Sequence, residues 1–314
     1  MTTLHPQARA LLDRLAADSG AGFDSMTPAE ARTSQYGFAE LFGPGESVVT
    51  VEHWFIPGPT ADLPARIYRP TTTTAPGPAL VYFHGSGFVV GNIGIFDSPS
   101  RALANRTGCV VVAVNYQKAP EHKFPVPFDD ACAAVAWVID NADELRIDRK
   151  RVGVIGDSAG GTLATAACLK ARDTGKPMPA CQVLIHIPVQ FGEATPSMLE
   201  FESGYLLEAS AMRWFGEQYL RDAHDAENPY AAPMRAESLA GLPPALVATA
   251  EFDPLRDEGE AYGDRLRADG VATEVRRYGG MIHGFYGMCG LLDSAEELYA
   301  DIADFTTRWL AASD

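Results

Sequence analysis

Arg151-Val152-Gly153-Val154-Ile155-Gly156-Asp157-Ser158-Ala159-Gly160-Gly161-Thr162-Leu163 is the stretch on which the reading of this chain turns. Arg151 to Ile155, with Val152, Val154 and Ile155, reads as a strand. Gly160 to Arg172 reads as a helix. Between them, Gly156 to Gly160 fits G-x-S-x-G. A chain that turns sharply from strand into helix strains its middle residue, and glycines two places to either side let neighbouring elements approach. The Ser158 hydroxyl is then held clear of the turn, beside a helix N-terminus whose free N–H groups favour developing negative charge. Without that context the same residues would be a glycine-rich turn with a serine cap.

Outward from this elbow, strand and helix alternate. Val48, Val49 and Val51 with Ala65 to Tyr68 suggest an antiparallel hairpin. Ala79 to Phe83 and Val110 to Asn115 read as buried parallel strands, and Asp129 to Asn141 as a helix. Further on come strands Gln182 to Ile187, Ala245 to Ala250 and Thr273 to Arg277, with helices Gly259 to Ala268 and Ser294 to Leu310. The expected class is α/β, a mostly parallel sheet with helices on both faces. Residues 48–187 and 231–314 form the expected core. The aromatic-rich stretch 188–230 breaks the alternation and reads as an inserted cap segment. Residues 1–47, with helical spacing at Leu4, Ala8, Leu11, Leu12 and Leu15, read as the other part of the cap.

A serine hydroxyl needs a base to become nucleophilic. Of seven histidines, His283 stands out, because Gly279-Gly280-Met281-Ile282-His283-Gly284-Phe285 follows a strand and gives an exposed, re-aimed loop. His5, His53, His122, His186 and His224 have no such setting and read as structural. An imidazole base needs a carboxylate to fix its tautomer. Asp253 follows the strand Ala245 to Ala250, although Asp before Pro254 is also a common helix cap, and Glu251 and Asp257 are rivals. His84-Gly85-Ser86-Gly87, directly after Ala79 to Phe83, can turn backbone N–H groups toward the nucleophile and form an oxyanion hole with the N–H of Ala159.

Composition narrows the alternatives. The chain has 314 residues, with 25 basic and 41 acidic ones and a formal net charge of −16. A pI near 4.8 argues against nucleic acid and against adsorption to anionic lipid. Apolar runs such as Cys109 to Val114 are far short of the roughly 20 residues of a membrane span. Arg9, Asp13, Arg14 and Asp18 interrupt any signal peptide, so a cytoplasmic protein without a membrane anchor is expected. Cys109, Cys132, Cys168, Cys181 and Cys289 are scattered and read as buried free thiols. No metal-binding pattern appears, and no metal or cofactor is expected.

Taken together, His84-Gly85-Ser86-Gly87-Phe88, Ala119-Pro120-Glu121-His122, Gly156-Asp157-Ser158-Ala159-Gly160-Gly161, Asp253-Pro254-Leu255-Arg256-Asp257-Glu258 and His283-Gly284-Phe285 resemble the hormone-sensitive-lipase-like family of α/β-hydrolases, the bacterial family IV esterases. The resemblance spans about Val48 to the C-terminus. It implies cofactor-free hydrolysis of small carboxylic esters of short to medium acyl length, under a cap. It places the triad on Ser158, Asp253 and His283 and the oxyanion donors on the backbone of Ser86, Gly87 and Ala159. It also suggests a homodimer through the strand Thr273 to Arg277. Phe88, Phe191, Met212, Trp214, Phe215 and Phe285 are the candidate pocket residues. Amidases, lactonases and acyltransferases share such a triad, and non-catalytic receptors of this fold lack the histidine. Two departures stand out. Ser86 replaces the third glycine of H-G-G-G and resists positive φ. Tyr116-Gln117-Lys118 replaces Tyr-Arg-Leu, so a structural arginine interaction is expected to be missing.

Overall fold

The computed structural model describes residues 3–17, 22–72 and 75–312. Asp18, and Thr73 and Thr74 of the threonine-rich loop, lie outside the described residues. The strands are β1 (Thr50–Pro57), β2 (Asp62–Arg69), β3 (Gly77–Phe83), β4 (Val110–Val114), β5 (Ile147–Asp157), β6 (Gln182–Ile185), β7 (Ala245–Phe252) and β8 (Thr273–Ile282). They form one sheet in the order β1-β2-β4-β3-β5-β6-β7-β8. β1 and β2 pair antiparallel, β2 pairs antiparallel with β4, and the rest is parallel. The hairpin therefore forms as expected, but its first strand begins at Thr50, beyond Val48 and Val49.

Side-chain alternation splits the interior into two layers. Val81, Phe83, Val112 and Val154 point into one core, under α5 (Val126–Asp140), α6 (Ala159–Thr174) and α9 (Arg256–Ala268). Leu80, Tyr82, Val111 and Ile155 point into the other, under α1 (Pro6–Ala17), α4 (Asp97–Thr107) and α10 (Asp293–Trp309). The small residues of α6 let that helix lie directly on the sheet, and nearly all of it is buried. α10 buries Ala295, Leu298, Tyr299, Ile302, Phe305 and Thr306, a helical stripe. No helix among the described residues is long and apolar enough to cross a membrane.

The chain passes from β3 outward to β4 and then returns to place β5 on the opposite side of β3. Ligands bind open α/β sheets at such a reversal, beyond the carboxyl ends of the strands. The loops after β3, β5, β6, β7 and β8 all open there. Above them lie α2 (Pro28–Ser34) and α3 (Tyr36–Leu41) from the N-terminal segment, and α7 (Pro196–Glu200) and α8 (Ala209–Tyr219) from the inserted one. The two segments meet where Phe23 stacks on Trp214 and tilts against Phe215, at 6.3 and 5.2 Å between ring centres.

Candidate active site

The turn at the end of β5 has the geometry its glycines permit. Ser158 sits at φ 50°, ψ −128°, and its N–H donates to Ile185 O at 2.8 Å. A Cβ on Gly160 would overlap the backbone of Phe83, and one on Gly156 the backbone of Gly160. A side chain at Gly160 would push the turn off β3, and one at Gly156 would push the start of α6 off β5.

His283, just past β8, reaches Ser158 from the opposite side. Its Nε2 is 3.2 Å from Ser158 Oγ, and its Nδ1 is 2.8 Å from Asp253 Oδ2. A carboxylate can only accept, so Nδ1 carries the proton and Nε2 is left to accept from the serine hydroxyl. Asp253 is fully buried. Its other oxygen, Oδ1, accepts the N–H of Leu255 at 2.9 Å. One oxygen thus faces the histidine and the other closes the turn before α9, whose N-cap is Leu255 rather than Asp253. The rivals point elsewhere: Glu251 accepts the N–H of Gly280 at 2.7 Å, and Asp257 accepts from Ser197 N and Arg256.

Ser86, Gly87 and Phe88 run through φ of 85°, 62° and 64°. Ser86 thus takes the backbone conformation that disfavours it, and its Oγ donates to Gln35 Oε1 at 3.4 Å. The N–H groups of Ser86, Gly87 and Ala159 donate to no acceptor among the described residues. Asp157 steadies the base of this loop: its Oδ1 accepts Gly85 N at 3.0 Å and the Tyr82 hydroxyl at 2.8 Å. Burial pushes the Asp157 carboxyl up to about 6, against the pull of those two donors.

A cavity of about 160 Å³, mostly apolar, opens onto Ser158 and His283. Phe88, Phe191, Met212 and Phe215 line it, whereas Trp214 and Phe285 do not. Trp214 turns its ring to Phe23 and Phe215, and Phe285 is fully buried against Tyr278 under the histidine loop. Sequence reasoning overlooked Gln35, Phe42, Phe96 and His186, all of which line the cavity. His186 is buried at φ 39° just beyond β6, with its ring centre 4.3 Å from that of His283 and neither ring nitrogen hydrogen-bonded among the described residues. Burial, and secondarily the neighbouring His283, hold it well below the usual imidazole range, so it stays neutral. Its only sequence signal was its place at a strand's carboxyl end.

The arginine of the family's motif is absent here. At its place, Gln117 bonds to Asp130 and Thr60. The glutamate of the same motif, Glu121, is instead engaged by Arg32 of α2. The cysteines are free, but Cys132 and Cys289 are only half-buried, unlike the other three. Among the described residues no group of three or more His, Cys, Asp or Glu could hold a metal ion.

With the fold and this geometry, the α/β-hydrolase fold family profile matches residues 80–287. The chain belongs to the α/β-hydrolases, in their hormone-sensitive-lipase-like branch. It is 42% identical over 252 residues to the carboxylic ester hydrolase LipN of Mycobacterium tuberculosis, covering 78% of this chain and 67% of that protein. It is also 42% identical over 227 residues to an arylesterase of Saccharolobus solfataricus, covering 72% and 74%. Among solved structures, the hyperthermophilic esterase of Pyrobaculum calidifontis superposes with a TM-score of 0.93 at 41% identity, over 99% of this chain and all of that one. An ester hydrolase from the Lake Arreo metagenome, complexed with a bipyridine phosphonate derivative, gives 0.95 at 37% identity, over 99% and 100%.

Proposed function

We propose that the protein is a serine carboxylesterase that hydrolyses small acyl esters through an acyl-enzyme. The relay Asp253–His283–Ser158, with bonds of 2.8 and 3.2 Å, carries this reading. His283 Nε2 takes the proton of Ser158 Oγ as the oxygen attacks the ester carbonyl. The N–H groups of Ser86, Gly87 and Ala159 hold the oxyanion. His283 then protonates the departing alcohol and activates the water that releases the acid. Asp253 keeps the imidazole in the required tautomer and stabilises its charged form. Within residues 1–47 and 188–230, α2, α3, α7 and α8 act as the cap. A cavity of about 160 Å³ favours short acyl groups, since roughly 150 Å³ suffices for a molecule the size of benzene.

Ser158→Ala is expected to lower kcat on p-nitrophenyl acetate by about 10⁴–10⁶-fold with an unchanged melting temperature. A phosphonate ester should add covalently to Ser158 in the wild type and not in the variant, as read by intact mass. The wild type should favour an ester over the matched amide. Full esterase activity in Ser158→Ala would overturn the assignment.

A further inference from the structure

We propose that Arg32, in the N-terminal cap, is a positioning residue for the oxyanion loop, so that the cap helps to build the catalytic geometry as well as cover it. The inference rests on the reading of the Ser86, Gly87 and Ala159 amides as oxyanion donors. Ser86 and Phe88 are non-glycine residues at positive φ, on either side of Gly87, which is itself at positive φ. A loop in that conformation persists only when its surroundings over-determine it. Its own bonds are few: Val89 N and Val90 N both donate to Ser86 O, at 3.3 and 3.1 Å, and Asp157 holds Gly85.

Tyr116 Oη donates to His84 O and Gly85 O at 2.9 and 3.4 Å, and a further constraint comes from α2. Arg32 Nε donates to Val89 O at 3.0 Å, and Nη2 of the same guanidinium donates to Ala119 O at 2.8 Å. Ala119 N in turn donates to Phe88 O at 3.1 Å. One planar fork thereby ties the oxyanion loop to the neighbouring loop through carbonyls on both. Nη1 and Nη2 also reach the two Glu121 oxygens at 2.8 and 2.6 Å, at the exposed end of the fork. Three residues beyond Arg32, on the same face, Gln35 accepts the Ser86 hydroxyl. The helix is itself anchored: Thr27 and Glu30 form a reciprocal cap at its start, and Ala31 is fully buried.

A lysine cannot reproduce this pattern, because a single ammonium lacks the planar fork. Displacing catalytic groups by about 1 Å can cost on the order of 100-fold in rate. Arg32→Met is therefore expected to lower kcat on p-nitrophenyl acetate by about 10- to 100-fold, with KM within about threefold. Arg32→Lys should restore only part of the loss. Glu121→Gln, at a solvent-exposed end of the fork, should stay within about threefold of wild type. The second-order rate of Ser158 phosphonylation should fall in proportion to kcat, because that step also develops a charged oxygen in the hole. A cap that merely covers the site would instead raise KM, mainly for longer esters, and leave kcat and phosphonylation untouched; that outcome overturns the proposal. If Arg32→Met does not fold, Arg32→Lys decides by the same two readouts. Failure of the phosphonate to label wild-type Ser158 would sink the esterase reading and this inference with it; equal labelling of wild type and Arg32→Met would sink this inference alone.

Discussion

The rim of the sheet and the wall that faces it across the cleft are held in place by different means. At the rim, backbone fixes side chains: Ser158 is forced out of a left-handed turn wedged against β3, and both oxygens of Asp253 are committed, to Leu255 N and to His283. On the facing wall, rings rest on rings. Phe88 stacks on Tyr219 at 3.8 Å, Phe215 lies over Gly87, and Phe23 bridges to Trp214. Backbone-determined positions have one solution, whereas packed rings can exchange volume with modest loss. Damage at the rim should thus appear in kcat, and damage at the wall in which ester is preferred.

The largest effect expected from this contrast separates two carboxylates only four residues apart. Asp253→Asn should lower kcat on a short chromogenic ester by about 10²–10⁴-fold, since an amide can donate to Nδ1 and impose the wrong tautomer. Asp257→Asn should leave kcat within about threefold, because Asp257 serves Ser197 and Arg256. The reverse ranking, measured on folded variants, would mean that the rim is wired differently from the relay described. On the wall, Phe215→Ala should raise kcat/KM for a hexanoate relative to an acetate by about three- to tenfold. Its kcat on the acetate should stay within about threefold of wild type. A uniform loss across the acyl series would erase the distinction between the two sides.

The same contrast explains what the sequence revealed. Steric demand at the elbow is written in glycine at 156 and 160, and the Ser, Asp and His each follow a strand, so the rim could be read from spacing. The wall could not. Whether Trp214 or Phe215 faces the cavity depends on the rotation of α8, and both are aromatic residues of one amphipathic helix. His186 carries no local mark, because its neighbours Ile185 and Ile187 are ordinary core residues. Asp97–Thr107 escaped notice as a helix because it buries small residues, Pro99, Ser100, Ala102 and Ala104, with Leu103 as its one large apolar contact. Arg32 reads as a solvated charge on a short helix until the carbonyls it reaches are known.

The smallest effect probes what lies behind the rim. Glu258 of α9 is buried; its Oε1 accepts Val189 N at 2.8 Å, while Oε2 has no hydrogen bond within 3.5 Å among the described residues. Burial, reinforced by the negative charge of Asp253, pushes its carboxyl up to about 8 from an ordinary value of 4.5. Between those values the folded chain binds more protons at this site than the unfolded chain. Its contribution to stability is therefore complete below about pH 4.5 and is lost as pH rises through about 8. Glu258→Gln keeps an acceptor for Val189 N and cannot titrate. The melting temperature of wild type minus that of the variant should thus be highest near pH 5 and fall by several degrees near pH 9, consistent with a loss of a few kcal/mol at most. A difference that stays flat from pH 5 to 9 would mean that Glu258 is charged in the fold. The rim would then tolerate a second buried anion beside Asp253, and the single-solution character assigned to it would be too strict.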